Sequence, residues 1–299
     1  MSIYTNKEMA LLYDSSKCTG CKGCQVACKQ WNTLYSPLGL NEQKFTGSYQ
    51  APLDLNGDTR LVMTFSEKEG KKKWRPVEWA FGRRSCFHCT DAACVEVCPS
   101  GALFKRDNGV VSFDENKCIG CTYCSQACPF EVPRYHGPQS KIDKCTMCFD
   151  RLENGKVPAC VQTCQPEALC FGPRDEMLKK AKARIEFLKA RGYDKAEIYG
   201  EKEMGGLHVI QICKYGIDAH GLPANPSKGA GVAIAKIAAP AAGALAAATA
   251  AGLALSFVAS MGYRRENVSV EEKKAHWDDR QKARADELLK EHLAKEARE

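Results

Sequence analysis

Residues 13–28, YDSSKCTGCKGCQVAC, lie over residues 113–128, FDENKCIGCTYCSQAC, at an offset of one hundred. A near-literal internal repeat constrains a fold before any local reading does, because both copies must reach the same local structure. Each copy sets four cysteines into eleven positions: Cys18, Cys21, Cys24 and Cys28, then Cys118, Cys121, Cys124 and Cys128. Two further runs, Cys86, Cys89, Cys94, Cys98 and Cys145, Cys148, Cys160, Cys164, close with the same three-residue gap. Together the four runs take sixteen of the 18 cysteines.

A chain of 299 residues can bury a good core and could hold two domains, so it does not need disulfide staples. Its opening, MSIYTNKEMALLYDSS, has no apolar stretch of the secretory kind, and a Sec-exported disulfide framework is not expected. Zinc wants two separated knuckles and is satisfied by four ligands, which leaves the third cysteine of each run unexplained. Three thiolates spaced C-x2-C-x2-C can instead wrap one loop around a compact inorganic core. In the run C-x2-C-x2-C-x3-C-P the last cysteine then serves the other cluster of a pair. Cys98-Pro99 and Cys128-Pro129 keep that proline, whereas Cys28-Lys29 and Cys164-Gln165 do not. Four runs of four ligands predict four [4Fe-4S] clusters.

The remaining cysteines read as small buried hydrophobes. CQPEAL (164–169) matches CPSGAL (98–103), which sets Cys170 where Phe104 stands, and Cys213 closes LHVIQIC, a predicted strand. His88, between Cys86 and Cys89, reads as a residue behind the ligands or at the surface. The formal charge of +7 comes from 43 basic and 36 acidic residues that are scattered, so no nucleic-acid partner is predicted. The sequence has no nucleotide-binding glycine loop, nucleophile elbow or H-E-x-x-H, and no substrate site is expected.

Residues 1–172 form the predicted four-cluster region, interrupted by an insertion over 29–85. Within it TRLVMTFSEKEGKKKWRPVEWAF (59–81) reads as a β-hairpin. Residues 173–230 are an extension: RDEMLKKAKARIEFLKARG (174–192) has helical spacing, and GLPANPSKGAG (221–231) is a linker. Residues 237–263 carry no charge and predict one transmembrane helix, with Pro240 in its first turn, Tyr263 at its boundary and Arg264-Arg265 beyond. Gly252, Ser256 and Ser260 give it a small-residue face; an alanine-rich soluble helix is the alternative. Basic residues crowd the carboxyl side, so the charged helical tail 264–299 is expected in the cytoplasm and the cluster region outside.

With these runs and one late span, the chain resembles the iron–sulfur (beta) subunits of membrane-bound formate dehydrogenases, within the four-cluster subunits that serve molybdopterin oxidoreductases. GCQVACKQWN, TGSYQAPLDL and KCTMCFDRLENGKVPACVQTCQPEAL carry the specific likeness. The resemblance implies an α+β fold of two ferredoxin-like 2[4Fe-4S] units with an inserted hairpin and a carboxyl-terminal transmembrane helix. It also implies the ligand sets: Cys18, Cys21, Cys24 and Cys164; Cys145, Cys148, Cys160 and Cys28; Cys118, Cys121, Cys124 and Cys98; Cys86, Cys89, Cys94 and Cys128. Such subunits are non-catalytic wires from a molybdenum- or tungsten-pterin catalytic (alpha) subunit to a membrane cytochrome b (gamma) partner that reduces quinone. Nitrate reductase beta subunits lose a cysteine in the third run, but Cys121 is present here. The same wire in a sulfur-compound reductase or hydrogenase, or a soluble polyferredoxin, remains the rival reading.

Overall fold

The computed structural model describes residues 4–34, 47, 49–262 and 269–296. The elements follow the cysteine runs closely. Strand β1 (Met9–Asp14) leads into the first run and α1 (Gly23–Trp31) carries its last two cysteines. The insertion then forms β2 (Leu61–Lys72) and β3 (Arg75–Ser85). The second run ends in α2 (Ala93–Glu96) and β4 (Leu103–Lys105), the third begins from β5 (Val111–Phe113) and turns into α3 (Tyr123–Ala127). A small hairpin, β6 (Arg134–His136) and β7 (Lys141–Asp143), leads to the fourth run with α4 (Phe149–Glu153) and α5 (Ala159–Gln162). Beyond it lie β8 (Leu169–Pro173), α6 (Arg174–Ala190), β9 (Glu197–Tyr199) and β10 (Val209–Cys213), and then α7 (Ala230–Gly262) and α8 (Val270–Glu296).

The sequence repeat is a structural repeat, but its halves are nested. β1, which precedes the first run, pairs antiparallel with β8, which follows the fourth; β5, which precedes the third run, pairs antiparallel with β4, which follows the second. The register keeps the equivalence to the residue: Tyr13 faces Leu169 as Phe113 faces Leu103. One ferredoxin-like unit therefore closes around the other. The chain crosses between them through two hairpins, β2–β3, with Leu61 opposite Ser85, and β6–β7, with Arg134 opposite Asp143. The larger hairpin extends four residues past the expected Phe81, to Ser85, because the second strand continues to the first cysteine of the next run.

β1 is the seam of the outer unit. It also pairs parallel with β10, and β9 completes a four-stranded sheet in the order β8-β1-β10-β9. Side chains alternate along a strand. Leu11, Tyr13, Val209 and Cys213 accordingly face the large core that contains the cysteines, while Ala10, Leu12, Ile210 and Ile212 face α6. α6 answers with Met177, Ala181, Ile185 and Leu188, the stripe expected of a helix lying on a sheet. It stops at Gly192 (φ 84°), where Tyr193 N–H donates to Leu188 carbonyl and Gly192 N–H to Lys189 carbonyl.

α7 begins at Ala230, so Pro240 stands inside the helix and not in its first turn, and the expected linker ends at Gly229. Ala241–Met261 form one span long and apolar enough to cross a membrane, with a mean hydropathy of 1.8 and outward-facing side chains. The hydroxyls of Thr249, Ser256 and Ser260 return to carbonyls of their own helix, at Leu245, Gly252 and Phe257, and leave no unpaired polar group on that surface. The flanking Tyr263, Arg264 and Arg265 lie outside the described residues. α8 opens with a capping box, Glu272 N–H to Ser269 Oγ and Ser269 N–H to the Glu272 carboxylate.

His220 lies under the large hairpin, buried, with Nε2 3.5 Å from Ser15 Oγ. Burial pulls its pKa down to about 4 from the ordinary 6.5. The folded state thus prefers the neutral ring; the stability this gives is complete above pH 6.5 and is lost as pH falls toward 4. Unfolding midpoints of the iron-loaded protein between pH 7.5 and 5 are expected to fall less steeply for His220→Leu than for the parent, and equal slopes would refute this assignment.

Candidate functional site

Each C-x2-C loop turns through left-handed backbone just before its second cysteine. Gly20, His88, Gly120 and Met147 occupy that position, with φ of 67°, 49°, 71° and 55°. The turn aims backbone N–H groups at sulfur: Gly20 N–H at Cys18 Sγ (3.4 Å), His88 N–H at Cys86 Sγ (3.5 Å) and Met147 N–H at Cys145 Sγ (3.3 Å). In two loops the residue must be glycine for a second reason, since a Cβ on Gly20 would press into the Phe81 ring and one on Gly120 into the Ser140 carbonyl.

The closing cysteines are held by another repeated turn. Gly101, Glu131 and Glu167 N–H groups donate to the carbonyls of Cys98, Cys128 and Cys164, three residues back, at 3.3, 3.0 and 3.1 Å. Pro99 and Pro129 stop the helix there, because proline disfavours helical backbone at the residue before it. Lys29 imposes no such stop, so α1 runs through Cys28, and Asn32 then donates through Nδ2 to both Cys28 carbonyl (2.8 Å) and Cys28 Sγ (3.7 Å). The missing proline of the first run is thus a longer helix.

None of the 18 cysteines is joined to another in a disulfide. Cys28, Cys145, Cys148 and Cys160 line one cavity. Cys86, Cys89, Cys94 and Cys128 line another. Cys24 lies within electrostatic reach of Cys18 and Cys164, and Cys18 of Cys21 and Cys164; Cys124 lies within reach of Cys121, Cys98 and Cys118. The four groups stand in a row: Cys24 feels Cys160 of the next group, Cys86 feels Cys145, and Cys94 feels Cys124. Cys28, Cys86, Cys148 and Cys160 of the inner groups are buried, as is Cys124 of one end group, while Cys21 at the other end is exposed. Among the described residues no three His, Cys, Asp or Glu groups close tightly enough to share a single ion; the thiols stand back around a space.

Burial pushes Cys24, Cys124 and Cys148 up to about 12 and Cys86 up to about 11 from the ordinary 9.0. A cationic metal core would hold such thiols as thiolates at neutral pH. Cys98 goes the other way: burial raises it, but N–H groups of Leu103, Ala102 and Ser100 and the Ser100 hydroxyl bring it lower overall. Cavities walled by four sulfurs, with amides aimed at sulfur, fit [4Fe-4S] clusters.

The other singled-out residues fall around these groups. His88 is fully buried and not at the surface; its Nδ1 accepts from Val111 N–H (3.0 Å), and its carbonyl lies 2.6 Å from His208 Nδ1. Cys213 is buried at the end of β10, and Cys170 is half-buried on β8. Sequence reasoning missed Arg60, whose Nε and Nη2 grip Asp143 at 2.6 and 2.7 Å while Nη1 donates to Asn32 Oδ1 at 2.7 Å. Arg60 and Asn32 both line the Cys28 cavity, so the insertion is clamped to the wall of that site. No periodicity or spacing marks such a pair across the chain.

Residues 17–102 and 77–174 each match the model of a 4Fe-4S dicluster domain. The nitrate-inducible formate dehydrogenase iron-sulfur subunit of Escherichia coli (strain K12) is 42% identical over 223 residues, covering 73% of this chain and 74% of the relative. The formate dehydrogenase iron-sulfur subunit of Haemophilus influenzae is 40% identical over 223 residues, 73% and 70% of the two chains. The chain belongs to the family of formate dehydrogenase iron–sulfur subunits. The B subunit of the anaerobic dimethyl sulfoxide reductase of Escherichia coli (strain K12) is also similar, 43% identical over 168 residues, which is 56% of this chain and 74% of that one. As an iron–sulfur subunit of this family the protein is an electron carrier, and two dicluster domains with four cysteine runs fit four [4Fe-4S] clusters. Neither matched window coincides with a folded unit, because the outer unit joins the first run to the fourth.

Removing one partner of a buried ion pair strands the other. Arg60 and Asp143 side chains are only 16% and 8% exposed. Asp143→Ala is therefore expected to cost on the order of 3 kcal/mol. Anaerobic urea titration followed by loss of the cluster absorption reads this directly, and an unchanged midpoint would contradict it.

Proposed function

We propose that the protein is the electron-transfer subunit of a formate dehydrogenase complex. It relays electrons from a molybdenum- or tungsten-pterin catalytic subunit to a membrane cytochrome b that reduces quinone, and has no substrate site of its own. The observation that carries the reading is the row of cysteine groups, with buried cysteines in its middle and Cys21 exposed at one end. A storage or structural site needs no row; a relay between two partners needs one. The first and third runs also present apolar side chains to solvent, Val26 on α1 in the first and Ile119 and Tyr123 in the third, as docking ends would.

In this reading Cys18, Cys21, Cys24 and Cys164 hold the first cluster and Cys28, Cys145, Cys148 and Cys160 the second. Cys86, Cys89, Cys94 and Cys128 hold the third, and Cys98, Cys118, Cys121 and Cys124 the last. A bound [4Fe-4S] cluster takes up and gives back one electron. The chain supplies the rest: thiolates that fix position, amides that stabilise negative sulfur, and an apolar wall that keeps water from the inner sites. Residues 1–172 form the cluster region, 173–230 an extension, 237–263 a single membrane anchor and 264–299 a cytoplasmic tail, with the clusters on the outer side. The longer match to formate dehydrogenase subunits than to the dimethyl sulfoxide reductase B subunit favours formate as the electron source.

Three measurements test this. With the complex isolated anaerobically from membranes, formate should bleach the brown absorption to a large fraction of the dithionite end point; bleaching by dithionite alone, with an active catalytic partner present, would reassign the enzyme. Cys28→Ala and Cys160→Ala should perturb one and the same electron paramagnetic resonance signal, and Cys24→Ala a different one, although Cys24 and Cys28 share α1. Carbonate washing should leave the chain in the membrane, whereas release into the wash would make α7 a soluble helix.

A further inference from the structure

Two buried cations line the inner cysteine cavities, Arg83 at 3% exposure and Lys144 at 2%. Among the described residues neither lies within ion-pairing distance of a carboxylate. Lys144 Nζ donates to the carbonyls of Val111 (2.5 Å) and Cys145 (2.9 Å). Arg83 Nη1 donates to Ser85 Oγ, Nη2 lies 4.0 Å from Cys160 Sγ, and Nε has no partner among the described residues. Neutral oxygens satisfy hydrogen bonds but do not neutralise a charge, and an uncompensated interior cation is strongly unfavourable. Something negative must face each of them.

Their positions identify it. Arg83 lines the cavity of Cys28, Cys145, Cys148 and Cys160, and its charge also reaches Cys24 of the neighbouring group. Lys144 lines the cavity of Cys86, Cys89, Cys94 and Cys128 while its ammonium holds the carbonyl of Cys145, the first cysteine of the group next door. Each cation thus stands where two successive groups meet. Four thiolates around an iron–sulfur core are net negative, and one unit more so when reduced, so a fixed positive charge favours the reduced form.

We propose that Arg83 and Lys144 are the resident counter-charges of the two inner cluster sites, each shared across a junction of the row, and that they raise the reduction potentials on either side. They are positioning residues that act through the electrostatic field and take no part in the electron transfer themselves. The inference rests on the electron-transfer reading above.

The test is a potentiometric titration of the whole complex, followed by electron paramagnetic resonance, with dithionite supplying the electron each cluster gains. Lys144→Met and Lys144→Arg are compared with the parent, and Arg83→Gln and Arg83→Lys likewise. At the potential where an inner site of the parent is half reduced, each neutral variant should lower its reduced-to-oxidised ratio about tenfold, a shift of about −59 mV for one electron. The charge-keeping variants should restore it. The site of Cys98, Cys118, Cys121 and Cys124, beyond both junctions, should shift least. Neutral variants that load full iron and keep the parent ratios would overturn the proposal. Should Lys144→Met fail to load iron, Arg83→Gln reads the other junction: a shifted ratio there sustains the proposal and an unshifted one overturns it. A parent protein without iron would instead overturn the electron-transfer reading itself.

Discussion

Sulfur turned inward is the constraint on which the rest of the structure depends. The main core is built around cysteines, with Cys28, Cys86 and Cys160 inside it and Cys18, Cys24, Cys89, Cys128, Cys145 and Cys164 packed against it. The elements that carry them are too short to stand alone: α2 and α5 have four residues each, and β4, β5, β6 and β7 three. Isolated pieces of that length are marginal in water. Their stability comes from what they enclose, and buried thiols held far above their ordinary proton affinity give up those protons only to metal. Folding of this region and filling of its cavities are one process.

The nesting of the two units follows from the same constraint. Cys24 and Cys28 sit one helical turn apart on α1, and Cys94 and Cys98, Cys124 and Cys128, and Cys160 and Cys164 keep the same spacing with the second cysteine just past the end of a short helix. Four residues advance a helix by about 6 Å, enough to bring one sulfur into each of two adjacent cavities. A single turn therefore sets the spacing between neighbouring sites within a unit. Between units no helix does this, and the junction is made by loops, where Lys144 ties the β5 backbone at Val111 to the first cysteine of the fourth run.

Much of this was legible in the residues because it is local. The runs, their closing turns, the large hairpin, the helix over 174–190 and the apolar span all follow from spacing and periodicity over short windows. The pairing of β1 with β10 was not, since parallel strands some two hundred residues apart leave no local trace. Arg60, Asn32, Arg83 and Lys144 were invisible for the same reason: each is an ordinary polar residue whose role exists only once distant segments meet. The motif GCQVACKQWN was read as a likeness, and its physics emerges in the fold. Gln25 bridges to Ala51 and Met63 and so seats the insertion on α1, while Trp31 donates to Asp150 and ties the same helix to α4. The capping box at Ser269 and Glu272 is different. It was readable from the S-x-x-E spacing, and α8 could have been started there.

A row of like charges in a poorly polarisable interior has an intrinsic difficulty. Two unit charges about 10 Å apart at an effective dielectric near 20 repel by roughly 1.7 kcal/mol, so an electron on one site would make its neighbour more than about tenfold harder to reduce. The ends of the row lose part of that repulsion to solvent, but the buried middle cannot. A fixed cation at a junction attracts the electron on whichever side it stands, and so flattens the step between neighbours without favouring either direction. Arg83 stands at the junction that leads into the innermost pair of cavities, and Lys144 at the junction between the two. Burial that keeps water from the relay and positive charge that makes this burial tolerable are then two parts of one solution, and a chain that had the first without the second would conduct poorly through its own centre.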